Sequence, residues 1–178
     1  TPFSLKSVDF LEKFKVPIYK IASLEITDLN LIGYVASKKK PIILSTGLAS
    51  YKDIKTAVDL IKKYHNKIII LHCVSGYPTP LSEINLLRIE LIKEKFNTKF
   101  VGLSDHTVSD EASLGSIFYG SCLIEKHFTL NKKSLDGKFS LLPNEFKALS
   151  NKVHHYHKMV GERKFYLKKS EKVNLSQR

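Results

Sequence analysis

Short apolar runs alternate with longer amphipathic stretches along this chain. The runs fall at residues 18–22, 41–44, 67–73, 100–103 and 122–124, and small polar residues follow almost every one. Ile68-Ile69-Ile70-Leu71 shows no apolar–polar alternation, a pattern strands adopt when both faces are covered, as in a parallel sheet flanked by helices. The stretches between predict helices at 7–14, 28–37, 50–64, 84–96, 110–119 and 143–160. In the clearest of these, Ser50 and Asp53 are spaced as a capping pair, and Ile54, Ala57, Val58 and Ile61 make one apolar stripe. Pro143 opens the last helix and Gly161 closes it, the asymmetry expected of helix ends. Beyond it the chain turns basic and loses its period. Residues 1–162 therefore read as one βα domain and 163–178 as a linker.

Repeating βα units build either a closed barrel or an open doubly wound sheet. The strand ends favour the barrel. Polar or ionisable groups recur there: Thr1, Lys20 with Ser23, Ser45 with Thr46, Ser75, Ser104 to His106, then Glu125 and His127. In a (β/α)8 TIM barrel such ends converge on one face around one pocket, whereas an open sheet spreads them along a crevice.

Composition changes this picture in four ways. The chain has 178 residues and starts at Thr1-Pro2-Phe3-Ser4 without an initiator Met or a capped first element, so it reads as a fragment of a longer protein. No run approaches the roughly 18 apolar residues of a membrane span. The formal charge of +12 raises nucleic acid as a partner, but Lys52, Lys55, Lys62 and Lys63 are scattered over helix surfaces without Arg clusters or interleaved aromatics. Cys73 and Cys122 are the only cysteines, both in apolar runs, which predicts buried, reduced thiols and a cytoplasmic setting.

Two sets of residues carry candidate chemistry. Ser104-Asp105-His106 and Glu125-Lys126-His127 end successive strands, so both imidazoles would meet on one rim, either as a divalent-metal pair or as simple strand caps. Ser23, Ser45, Ser75 and Ser104 with Lys20 would form a ring of hydroxyls around one cation, suited to a phosphate or carboxylate. Ordinary turn chemistry accounts for any one serine but strains to account for the series. Three further features read as bland. His154-His155-Tyr156-His157 lacks an accompanying acid or cysteine and reads as a solvated helix face. His72 and Cys73 read as packing groups, and His65 as a charge favouring a helix C-terminus.

Thr1-Pro2-Phe3, Tyr19-Lys20-Ile21-Ala22-Ser23, Leu44-Ser45-Thr46-Gly47, Tyr77-Pro78-Thr79-Pro80, Gly102-Leu103-Ser104-Asp105-His106-Thr107 and Ile124-Glu125-Lys126-His127-Phe128-Thr129 together resemble, in that order, the signature of bacterial sialic-acid synthases. The resemblance implies a TIM barrel, here without its first strands, followed by an antifreeze-like domain that is missing from this sequence and that reaches into the active site of a homodimer partner. It implies condensation of phosphoenolpyruvate with an amino-sugar aldehyde to a nonulosonic acid and phosphate. It makes His106 and His127 ligands of Mn2+, with Mg2+ or Co2+ as substitutes, and gives Thr1, Lys20, Ser23, Ser45 and Ser104 to phosphoenolpyruvate. Ser75 stands where some relatives carry Asn. Tyr77 and Asp105 would line the sugar side and Glu125 would sit beside the metal. A fragment of this kind is expected to lack turnover by itself.

Asp136, Phe139 and Ser140 resemble the pseudaminic acid synthases, which show Asp followed by Phe-Ser, more than the neuraminic or legionaminic acid synthases, which show Gly-Pro-Asp followed by Ala-Ser. Leu135-Asp136-Gly137 copies neither. Two rivals remain: a Schiff-base aldolase using Lys20, and a non-catalytic sugar-phosphate sensor.

Overall fold

The computed structural model describes residues 1–177. Five strands, β1 (Tyr19–Ile21), β2 (Ile42–Ser45), β3 (Ile68–Cys73), β4 (Val101–Asp105) and β5 (Ile124–Lys126), form one sheet in which every neighbour pair is parallel. Spatial order equals chain order, β1-β2-β3-β4-β5. A doubly wound sheet reverses direction partway across; this one never does, and its strands make the arc of a half-barrel.

Helices α1 (Leu5–Glu12), α2 (Leu29–Ser37), α3 (Tyr51–Lys62), α4 (Leu87–Phe96), α5 (Glu111–Phe118) and α6 (Pro143–Val160) complete the repeat. The Ser50–Asp53 capping box starts α3, and its predicted stripe Ile54, Ala57, Val58 and Ile61 is buried. Asp28 caps α2 through Leu31 N. The helices pack on the outer side of the sheet against Tyr19, Ile21, Ile42, Leu44, Ile70 and Leu103, all 2% exposed or less. No helix among the described residues is long and apolar enough to cross a membrane.

Two element boundaries and the burial of one cysteine depart most from the sequence reading. α4 starts at Leu87 because Leu81–Glu83 forms a 3-10 turn and Asn85 takes a left-handed φ of 47° that breaks the helix. The last strand is not the apolar run 122–124 but Ile124–Lys126, where ladder pairing with β4 and burial of Lys126 outweigh hydrophobicity. Cys122, predicted to be buried, is therefore exposed ahead of the strand. Gly102 permits this lead-in: a Cβ there would lie 2.3 Å from the Leu123 carbonyl oxygen.

Parallel register places the inward-facing side chains in layers. Lys20 lies beside Ile43 and Ile69, Ser45 beside Leu71 and Gly102, and Cys73 beside Ser104 and Glu125. Alternation turns the intervening residues, including His72, Asp105 and Lys126, towards the helices.

Candidate active site

The upper inward layer and the loops leaving it make a rim with an anion side and an imidazole side. On the anion side, Ser23 Oγ accepts from Gly47 N at 3.0 Å and donates to Cys73 Sγ at 3.5 Å. Ser75 Oγ lies 3.9 Å from the same sulfur. A Cβ on Gly47 would fall 2.0 Å from Ser75 Oγ, 2.8 Å from Ser23 Oγ and 3.0 Å from Cys73 Sγ, so only glycine leaves this cradle of hydroxyls open. Ser45 is 1% exposed and its Oγ has no hydrogen-bond partner among the described residues. Buried hydroxyls are normally satisfied, so an unpartnered one on the inner face of β2 fits a ligand oxygen.

Ser104 Oγ donates to Glu125 Oε1 at 2.7 Å, and Lys20 Nζ lies 3.4 Å from the same oxygen. Lys20 thus reaches the centre of the rim as a cation balanced by one carboxylate, free to share its charge with an entering anion. Thr1 stands near Lys20 and Glu125.

His106 and His127 meet on the other side, ring centroids 5.2 Å apart. His106 Nδ1 donates to the Val74 carbonyl at 3.0 Å, and His127 Nδ1 faces Asp136 Oδ2 at 3.3 Å. A second partner on one ring nitrogen fixes the tautomer and frees the other nitrogen to ligate, so both Nε2 atoms are available to a divalent cation. No cluster of three or more His, Cys, Asp and Glu ligands forms among the described residues. The two imidazoles are therefore the candidate ligands at this rim. Two imidazole nitrogens are donors suited to a divalent transition-metal cation.

The electrostatics run in opposite directions at the two rings. Burial opposes a charge on His106, but its contacts with Cys73 and the Val74 carbonyl outweigh burial and raise its pKa. Burial, then the charge of His106, lowers His127. Burial would raise the Cys73 thiol, yet His106 and Ser23 together bring it below its ordinary value. Burial raises Tyr77, whose ring stacks 4.2 Å from His106. Phe139 closes the same wall, 4.9 Å from His127 and 5.4 Å from Tyr77.

The rim gathers Lys20, Ser23, Ser45, Ser75, Tyr77, Ser104, His106, Glu125 and His127; Thr1 is exposed within reach of the charges of Lys20 and Glu125, and Asp105 lies apart. Asp105 is fully buried on the helix side, 3.0 Å from Lys126 Nζ and bonded by Ser113 Oγ. It cannot line the sugar side, because Ser104 faces inward and alternation sends the next residue outward.

Cys73, read as packing, belongs to the cradle that Gly47 keeps open, and Asp136, singled out above only for the choice of sugar, faces His127 on the imidazole side. His72 does point outward, its Nε2 2.6 Å from the Ile84 carbonyl. Burial and then the charge of Lys67 lower the pKa of His65, beyond the end of α3. His154 is exposed and bonds the Ser150 carbonyl within its own helix. A cavity of about 400 Å3 between α5, β5 and α6 is lined by Ile117, Leu123, Phe146 and Leu149 on the helix side, away from this rim.

Comparison with known proteins agrees with this geometry. The model of the NeuB family matches residues 1–165. The N,N'-diacetyllegionaminic acid synthase of Campylobacter jejuni is 40% identical over 181 residues, covering 99% of this chain and 54% of that protein. The pseudaminic acid synthase of Helicobacter pylori is 40% identical over 165 residues, covering 91% of this chain and 48% of that protein. The crystal structure of N-acetylneuraminic acid synthetase from Leptospira borgpetersenii in complex with citrate superposes with a TM-score of 0.91 at 34% identity, over 99% of this chain and 62% of that one. The chain thus spans about half the length of the curated relatives it matches.

Proposed function

Since this chain belongs to the NeuB family, we propose that the full-length protein condenses phosphoenolpyruvate with an amino-sugar aldehyde, giving a nonulosonic acid and phosphate. The observation that carries this reading is the open cradle over Gly47 lying beside two tautomer-fixed imidazoles. Lys20, Thr1 and the Ser23, Ser45, Ser75 and Ser104 hydroxyls hold the phosphate and carboxylate oxygens, fixing the enol carbon against the aldehyde. Tyr77 and Phe139 form the apolar wall against which the sugar lies. The enol carbon bonds to the aldehyde carbon, water adds to the carbon that bears the phosphate, and phosphate leaves by carbon–oxygen cleavage. Glu125, anchored by Ser104 and facing Lys20, is placed to take the proton of that water. His106 and His127 would hold a divalent cation, Mn2+ in the first instance, which would supply Lewis acidity to the condensation. The same reading makes the enzyme a cytoplasmic homodimer.

We assign pseudaminic acid as the product. Overall similarity does not separate the candidates, since a legionaminic and a pseudaminic synthase are both 40% identical. Phe139 supports the choice because the residue that resembles the pseudaminic group packs on His127 and Tyr77 inside the site. A substrate panel on the full-length protein tests it: turnover of the doubly acetamido altrose over N-acetylmannosamine is expected, and the reverse preference overturns it. Borohydride in the presence of a keto-acid is expected to trap nothing on Lys20; a covalent adduct there would mark a Schiff-base aldolase instead.

A further inference from the structure

The two imidazoles leave the sheet one residue beyond a buried ion pair. Asp105 and Lys126 stand opposite each other in the β4–β5 register, Oδ2 to Nζ 3.0 Å, with side chains 0% and 1% exposed. The polar groups around them are satisfied. Asp105 accepts from Thr107 N at 2.8 Å and Ser113 Oγ at 2.5 Å, while Lys126 Nζ donates to the carbonyls of Thr107 at 2.6 Å and Ser109 at 2.8 Å. The network therefore joins the ends of both strands, the loop after β4 and helix α5.

Stability alone is a weak reason for such a pair, because well-packed apolar residues of similar volume commonly serve a fold as well or better; the best-attested use of a buried polar contact is to fix register. Here register decides the chemistry. A slip of one residue between β4 and β5 would turn His106 or His127 from the inner face to the helices.

On the reading that those rings hold a divalent cation, we infer that the Asp105–Lys126 pair positions His106 and His127 and so sets the affinity of the site for that cation. Neither residue reaches the rim; both act through the imidazoles that follow them.

The test is Mn2+ binding to the full-length protein, followed by electron paramagnetic resonance of the free ion, with a thermal melt on each variant. Asp105→Asn breaks the network. The paired change Asp105→Leu with Lys126→Met keeps the volume without the charges and decides the question if the single variant does not fold. Outer-shell changes typically weaken a metal site by about 10- to 100-fold, and a loss in that range is expected for the paired variant, which also melts lower because Thr107 N, Ser113 Oγ and the Thr107 and Ser109 carbonyls lose their partners. Ile61→Ala, which removes bulk from α3 far from the rim, is expected to melt lower yet bind Mn2+ like the wild type. If the paired variant binds as tightly as the wild type while His106→Ala does not, the positioning role is wrong and the metal reading stands. If the wild type binds no more tightly than His106→Ala, the metal reading fails and takes the inference with it.

Discussion

Replacing Gly47 by alanine is the sharpest single perturbation of the anion side. The backbone tolerates it, since Gly47 does not occupy the left-handed region, but the new Cβ would lie 2.0 Å from Ser75 Oγ. Relief cannot come from the other neighbours. Ser23 Oγ is held between Gly47 N and Cys73 Sγ, and both Ser23 and Cys73 are themselves buried. Ser75 must therefore rotate out of the cradle. A hydrogen bond to a charged ligand contributes about 1.5–3 kcal/mol, so losing the Ser75 hydroxyl should weaken phosphoenolpyruvate binding by roughly 10- to 140-fold, at about 1.4 kcal/mol per factor of ten. Calorimetric titration of phosphoenolpyruvate into the full-length Gly47→Ala protein measures this directly. Ser75→Ala should lose a similar amount, and adding Gly47→Ala to it should cost less than Gly47→Ala costs the wild type, because the Ser75 part of the clash disappears with the hydroxyl while the 2.8 Å approach to Ser23 Oγ remains. A Gly47→Ala protein that binds within twofold of the wild type would refute the reasoning.

Three other outcomes follow from the same coordinates. Phe139→Ala should raise KM for the sugar aldehyde up to about tenfold, since an aromatic pair contributes about 0.5–1.5 kcal/mol beyond its buried area, while calorimetric affinity for phosphoenolpyruvate stays within twofold; a change confined to phosphoenolpyruvate would count against the assigned wall. Lys40 and then Tyr19 hold the Glu12 carboxyl below its ordinary pKa, so its contribution to stability exists above that ordinary value and disappears as pH falls through the lowered one. Glu12→Gln should accordingly melt below the wild type at neutral pH, and the gap should close in acid; a gap independent of pH is the contrary result. His154→Ala and His157→Ala should leave Mn2+ affinity unchanged in the same resonance titration, and a tenfold loss would mean that the α6 histidines had been misread as solvated.

Much of this site is legible in the sequence because parallel strands convert order along the chain into order around a rim. Lys20, Ser45, Ser104 and Glu125 are inward-facing strand residues, so naming the strands nearly names their positions. The paired histidines follow from the same logic one step further along. What stayed hidden depended on facing and on contacts distant in sequence. Asp105 carries the residue type of an active-site acid, yet its partner Lys126 lies on another strand and draws it to the helix side. Cys73 looks like one more apolar strand residue until Ser23 and Ser75 come within reach of its sulfur from separate loops. Asp136 and Phe139 reach His127 through an irregular loop with no period to read. The start of α4 was displaced by a left-handed Asn85 that no hydrophobic pattern records.

The account rests on a divalent cation shared by two rings beside an anion. Crystals of the full-length protein grown with Mn2+ and phosphoenolpyruvate, measured on both sides of the manganese absorption edge, locate the ion without reference to activity. One anomalous peak bonded to Nε2 of both His106 and His127, with the phosphate seated over Gly47, is the result predicted; a peak elsewhere, or phosphate bound away from Lys20 and the serines, would contradict it.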